Sequence, residues 1–190
     1  MMCLKSDFDS VEKCSEYLKK GKILILPTDT VYGFSGIVEP FGKNVYDTDA
    51  RIRTIKGRSE TKPFIQLIAY PQDIFNYTND KIPEKIFTLW PGALTVIVHD
   101  KNSTGTTAYR CPGDEWIRKI IQRCGFPVYS TSVNRSGRPV LDTIDEICRE
   151  FENECDLIVS DGDKKGALPS TIVSVFDGNI TVLRQGIIKI

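Results

Sequence analysis

The sequence has a single histidine, His99, and its six cysteines include no Cys-x-x-Cys pair. Structural zinc sites draw on paired cysteine or histidine spacings, so none is expected. A Ser-His-Asp triad would have to use His99, which ends a strand before Asp100 and Lys101, with nothing to place it near a nucleophile. Glycine-rich nucleotide signatures are missing too. There is no GxxxxGK[ST], which excludes a P-loop ATPase, and no GxGxxG after the first strand, which leaves a dinucleotide Rossmann site unsupported. The formal net charge is +0, so no global electrostatic attraction to nucleic acid or to a membrane surface follows. No apolar run approaches the roughly 20 residues that span a bilayer. Met1–Asp7 carries no apolar core of the signal-peptide kind. The chain is therefore expected in the cytoplasm, with no membrane partner and with reduced cysteines.

What is present is an ordinary globular composition. The 190 residues are 41% hydrophobic and 26% charged, which suits one domain with a sizeable core. Residues 9–20 have helical apolar spacing, with Asp9 or Ser10 as N-cap and Gly21 as the stop. The continuous apolar run Ile23–Leu26 predicts a buried strand. It ends in the polar loop 27–33, the usual position of a binding loop in an α/β protein. Helices are expected over 44–55, 83–90, 114–124 and 143–151, and strands over 64–68, 94–98, 156–160, 170–175 and 180–184. Residues 102–108 are expected as a polar loop, and Asp177-Gly178-Asn179 as a hairpin turn. Mixed helices and strands with an antiparallel end predict a mixed-sheet α/β domain.

Two segments could carry chemistry. In Tyr129-Ser130-Thr131-Ser132-Val133-Asn134-Arg135-Ser136-Gly137, hydroxyls follow one another and an amide precedes a turn. That row is too polar for a strand interior and suits a strand end. In an extended chain Ser130, Ser132 and Asn134 would face one side, where they could bind phosphate oxygens or a ribose; a capped turn is the competing explanation. The second segment holds Arg51, Arg53, Lys56, Arg58 and Lys62. In an extended loop Lys56 and Arg58 would converge on a polyphosphate or carboxylate, though a solvated basic face is an equal possibility. Gly162–Gly166 is expected as a turn, and Cys111 as a buried structural thiol. Together these describe a site that positions and neutralises phosphates and has no obvious general base.

Several motifs in unbroken order resemble the YrdC-like L-threonylcarbamoyladenylate synthase family, short single-domain type. They are Leu26-Pro27-Thr28-Asp29-Thr30-Val31-Tyr32-Gly33, Ile55-Lys56-Gly57-Arg58 with Lys62-Pro63-Phe64, Trp90-Pro91-Gly92-Ala93-Leu94-Thr95, Arg110-Cys111-Pro112, Ser130–Gly137, Pro169-Ser170-Thr171-Ile172-Val173 and Leu183-Arg184-Gln185-Gly186. The resemblance implies a twisted mixed, mostly parallel sheet around a deep basic cleft, the YrdC-like/RibB-type fold. It implies one catalytic domain over 1–190 with no C-terminal accessory domain. It also implies a nucleotidyltransferase that makes threonylcarbamoyl-AMP and pyrophosphate from L-threonine, bicarbonate and ATP. The product would go to a tRNA-modifying threonylcarbamoyl transferase complex, for N6-threonylcarbamoylation of adenosine 37 in tRNA.

Carried over residue by residue, the resemblance makes Lys56 and Arg58 catalytic. It assigns ATP to Lys56, Arg58, Ser132, Asn134, Ser170 and Arg184, and threonine or its carbamate to Thr28, Thr30 and Tyr32. Lys62 and Arg110 are weaker candidates. Mg²⁺ would be held by the phosphates rather than by side chains. Three departures are visible: extra length around Glu39 to Asp47, Leu67 where some members place a histidine, and a chain that stops just after Gly186. The alternatives are a non-enzymatic tRNA or double-stranded RNA-binding protein, or a diverged paralogue of the same fold.

Overall fold

The run Ile23–Leu26 divides cleanly between two buried clusters. Leu24 and Leu26 join one, and Ile23 and Ile25 the other. Successive strand residues point to opposite faces, so a strand apolar at every position must be covered on both. The computed structural model describes residues 1–40, 43, 45–59 and 63–190. In chain order the elements are β1 (Met2–Leu4), α1 (Ser10–Lys19), β2 (Leu24–Leu26), β3 (Gly33–Ser35), α2 (Thr48–Lys56), β4 (Ile65–Leu67), a 3₁₀ segment (Pro71–Asn76), α3 (Glu84–Phe87), β5 (Leu94–His99), β6 (Thr106–Arg110), α4 (Glu115–Cys124), β7 (Val128–Ser132), α5 (Ile144–Phe151), β8 (Leu157–Ser160), β9 (Thr171–Phe176) and β10 (Asn179–Arg184).

Helices α1 and α4 cover one face of the sheet through Cys14, Leu18, Ile117, Ile120 and Ile121. Helices α2 and α5 cover the other through Ile52, Ile55, Ile147 and Phe151, with Phe34 edge-on to Phe151 at 4.9 Å. A third cluster around Trp90, Leu94, Val96, Tyr109 and Val173 holds the β5, β6 and β9 end. Each fully buried large apolar side chain contributes about 1.5–3 kcal/mol. The caps are local: Asp114 accepts the Trp116 N–H at 2.9 Å, and Thr143 accepts that of Glu146 at 3.4 Å.

The strand order is β1-β8-β2-β3-β7-β4-β6-β5-β9-β10. The pairs β1/β8, β2/β8, β4/β6 and β5/β9 are parallel. The pairs β2/β3, β3/β7, β4/β7, β5/β6 and β9/β10 are antiparallel. The sheet is mixed as expected, but it is not mostly parallel. Short connections after β2, β5 and β9 reverse the chain, and β7 runs against both its neighbours.

Other expectations shift in detail. Residues 106–110 form strand β6, not a loop, because their backbone pairs with both β4 and β5. Helix α3 is a single turn and stops before Trp90, since the helical conformation is disfavoured ahead of Pro91. Helix α2 begins at Thr48; Asn44, with which the expected helix opened, lies outside the described residues. Of the extra segment, Glu39 accepts the backbone N–H groups of Tyr46 and Asp47, each at 2.9 Å. Among the described residues no helix is long and apolar enough to cross a membrane.

Candidate active site

Residues from β2–β3, β4, β6, β7, β9 and β10 line one cleft of about 230 Å³. In a flat sheet β3 and β9, five places apart, would lie roughly 24 Å from each other at about 4.8 Å per strand. Both edges can line one small cleft only because the sheet curves around it.

The floor is β7. Its hydroxyl residues do not leave the sheet: Ser130, Thr131 and Ser132 stay paired to β3 and β4. Their backbone groups are satisfied by the ladders, so the polar side chains can face the cleft at little cost. A Cβ on Gly33 would stand 2.7 Å from Ser130 Oγ, so the close β3–β7 approach at this point requires glycine. Among the described residues Ser130 Oγ has no hydrogen-bond partner.

The β2–β3 turn forms one end. Thr28 and Thr30 are both buried, with their hydroxyl oxygens 3.0 Å apart. The Arg110 guanidinium, from the end of β6, donates to Thr30 Oγ1 at 2.8 Å, Asp29 Oδ1 at 2.7 Å and Gly92 O at 3.1 Å. Burial pulls the Arg110 pKa down, and Asp29 opposes that shift. Tyr32 borders the cleft, but its side chain is fully buried and its hydroxyl is spent: it donates to Gly162 O at 2.7 Å and accepts the Asp161 N–H at 2.8 Å. Tyr32 thus ties the turn to the 161–168 loop.

The cations divide into two kinds. Lys56 is not on an extended loop. It is the last residue of α2, capped by Gly57 in the left-handed region at φ 60. From there its ammonium donates to Ser132 O, and to Asn134 O and Oδ1 at 2.9 Å each. All three of its protons are used, and it is 2% exposed. Burial, and then the Arg58 charge, push its pKa down to about 8. Ser132 Oγ donates to Asn134 Oδ1 at 2.8 Å, and Asn134 Nδ2 donates to the carbonyls of Arg135 and Arg138. These residues line a second hollow, of about 230 Å³, that shares Arg58 and Ser132 with the cleft.

Arg58 is held more loosely. It makes 3.3 Å contacts to Thr131 Oγ1 and Pro63 O, and its guanidinium lies over the Phe64 ring at 4.9 Å. Among the described residues its buried Nε has no partner. Arg184 donates to Ser170 O at 2.8 Å and Oγ at 3.4 Å, while Ser170 Oγ also pairs with Thr95 at 2.8 Å. Burial lowers the Arg184 pKa first, and the Arg110 charge second.

The cleft therefore gathers Thr28, Thr30, Tyr32, Arg58, Arg110, Ser132, Ser170 and Arg184, and Lys56 and Asn134 line the adjoining hollow. Lys62 lies outside the described residues. The remaining described cations of the basic segment are engaged by protein groups: Arg51 meets Asp156 and Gly21 O, and Arg53 pairs with Asp49, donates to Ser59 O and lies over the Phe64 ring. That argues against a basic RNA-binding face there. Cys111 is buried, and burial pushes its pKa up to about 12, so it is inert as a nucleophile. His99 sits at the surface beside Asp80. The sequence reading missed Asp29, whose signal was its place between two threonines in a loop after a buried strand.

The family model described as telomere recombination, Sua5/YciO/YrdC, matches residues 16–186. The chain belongs to the Sua5/YciO/YrdC family. A Methanocaldococcus jannaschii relative, named as a candidate threonylcarbamoyl-AMP synthase, is 32% identical over 94% of this chain and 88% of its own. A Bacillus subtilis relative named threonylcarbamoyl-AMP synthase is 29% identical over 96% of this chain but only 55% of its own, so the chain spans about half of that protein. Among solved structures, P. abyssi Sua5 complexed with L-threonine superposes with a TM-score of 0.79 at 25% identity, covering 93% of this chain and 54% of that one. The curved mixed sheet and the hydroxyl-lined cleft are thus set in a chain of that family.

Proposed function

We propose that the chain is an L-threonylcarbamoyladenylate synthase, a nucleotidyltransferase of the cytoplasm. The observation that carries this is one cleft in which hydroxyls and two incompletely paired arginines face an end built by Thr28 and Thr30, in a family whose relatives bear that enzyme's name. The nitrogen of L-threonine attacks the carbon of bicarbonate, and water leaves to give the carbamate. A carbamate oxygen then bonds to the α-phosphorus of ATP as the bond to pyrophosphate breaks.

Negative charge grows on phosphate oxygens and on pyrophosphate. Arg58 and Arg184 have N–H donors to offer it, and among the described residues Ser130 offers a hydroxyl that has no other partner. Lys56 acts through its charge and by holding the Ser132–Asn134 turn, since its protons are already spent. Thr28, Thr30 and Tyr32 form the amino-acid end. The protein's task is alignment and exclusion of water.

Mg²⁺, carried by the phosphates of ATP, would supply further charge neutralisation. The carboxylate closest to the cleft, Asp29, has both oxygens engaged, by Arg110 and by the Gly113 N–H at 2.9 Å, which fits an ion held by phosphate rather than by protein. The product passes to a tRNA-modifying threonylcarbamoyl transferase complex. The test is pyrophosphate release from ATP and bicarbonate with Mg²⁺, with and without L-threonine, on wild type and Arg58→Ala. Threonine-dependent release that collapses in the variant is expected; release indifferent to threonine would remove the proposal.

A further inference from the structure

We infer that Arg110 and Asp29 are a positioning pair that sets the direction of the Thr30–Thr28 hydroxyl chain, so that this pair of hydroxyls offers a ligand one hydrogen-bond acceptor and no donor. The hydrogen-bond geometry stands by itself; the identity of the ligand as an amino acid rests on the synthase reading.

The direction follows from counting protons. A hydroxyl has one proton and two lone pairs. Thr28 Oγ1 donates its proton to Val31 O at 2.7 Å and accepts the Thr30 N–H at 3.1 Å. In its 3.0 Å contact with Thr30 it can therefore only accept, so Thr30 donates. Thr30 Oγ1 in turn accepts from Arg110 at 2.8 Å. Thr28 has then spent its proton and both lone pairs, and Thr30 keeps one lone pair. Arg110 cannot turn away: Nε is held by Gly92 O, and the other terminal nitrogen by Asp29. Asp29 is fixed in turn by the Gly113 N–H, and a Cβ on Gly113 would stand 3.0 Å from its carboxylate.

This changes what the arginine does. Its charge is matched by a carboxylate 2.7 Å away, and it is 4% exposed. It does not act as a phosphate-binding cation. It imposes polarity on a neighbour. An acceptor-only hydroxyl pair welcomes an N–H or O–H and disfavours a phosphate or carboxylate oxygen placed on it, which would meet a lone pair. Anionic oxygens are thereby directed to the Arg58 and Arg184 side, and a donor of the amino acid to Thr30. L-Threonine has two such donors, its amino group and its side-chain hydroxyl.

The experiment is calorimetric titration of L-threonine, and separately of a non-hydrolysable ATP analogue, into wild type, Thr30→Val, Thr30→Ser and Arg110→Lys. Thr30→Val and Arg110→Lys should weaken L-threonine about tenfold and leave the ATP analogue within about twofold, with the loss in turnover assays appearing in the threonine KM and not in kcat. Thr30→Ser, which keeps the hydroxyl chain, should bind L-threonine like wild type. Thr30→Val changes hardly any volume, so it decides the matter if Arg110→Lys fails to fold.

3-Hydroxybutyrate, which lacks the amine, and 2-aminobutyrate, which lacks the hydroxyl, separate the two donors: the compound whose affinity ignores Thr30→Val is the one missing the group that meets Thr30. Equal sensitivity of both analogues overturns the inference. So does unchanged L-threonine affinity in Thr30→Val while the wild type shows threonine-dependent turnover. A wild type that neither binds nor uses L-threonine overturns the synthase reading and the inference with it.

Discussion

The two sides of the cleft carry the same kind of group and use it differently. On the β2–β3 side Arg110 has a carboxylate, a hydroxyl and a carbonyl on its three nitrogens. Elsewhere in the cleft Arg58 has only long contacts and, among the described residues, a buried Nε without a partner, and Arg184 engages one terminal nitrogen. An arginine becomes a ligand-binding cation through what it has not yet bound. Lys56 sharpens the contrast, since it stands two positions from the loosely held Arg58 yet has all three of its protons engaged. The satisfied groups give shape, and the unsatisfied ones give affinity.

Substitution should separate these classes, with the largest effect on the loosely held side. Arg58→Ala should lower kcat/KM for ATP by about 100-fold, the scale of losing a charge-stabilising donor, while leaving the melting temperature nearly unchanged. A variant that melts much earlier instead would place Arg58 with the structural cations. Lys56→Met should do the reverse. It takes a donor from Ser132 O and Asn134 O, while Asn134 Oδ1 keeps the Ser132 hydroxyl, and urea unfolding should report a stability loss of about 2–3 kcal/mol. Undiminished stability would mean that those carbonyls find other donors.

The pH response of Lys56 is a finer probe. Its ammonium titrates near 8 in the fold, against an ordinary lysine value in the unfolded chain. The cost of burying that charge is therefore full below pH 8 and is relieved as pH rises toward the unfolded value, so stability climbs across that window. Activity moves the opposite way, because the positive charge beside the phosphates fades above about pH 8. A pH series on wild type and Lys56→Arg should show an alkaline fall in kcat/KM only in the former; identical profiles would exclude Lys56 as its source. At the small end, Arg123→Ala removes an exposed pair with Glu12 and should shift stability by less than about 0.5 kcal/mol in the same unfolding assay.

Much of this was legible in the chain. The all-apolar run 23–26 required burial on two faces, helical apolar spacing marked the helices over 114–124 and 143–151, and the hydroxyl row from Ser130 to Ser132 marked the floor of the cleft. Other features were legible for the wrong reason. Lys56 and Arg58 do converge on β7, but from a helix end and its glycine cap rather than from an extended loop. Strand β6 was hidden because Thr106 and Thr107 look like loop residues until two partner strands are supplied.

Periodicity, capping and composition are properties of neighbouring residues, and they determined which segments become helices and strands, which faces are buried and where hydroxyls gather. Whether a polar group is free is a property of its partners. Asp29 and Arg110 are separated by 81 positions, Lys56 and Asn134 by 78. Only the curved sheet, by bringing such distant residues within hydrogen-bond reach, decided which cations are neutralised, which way the hydroxyls point, and hence which part of the cleft is left to bind.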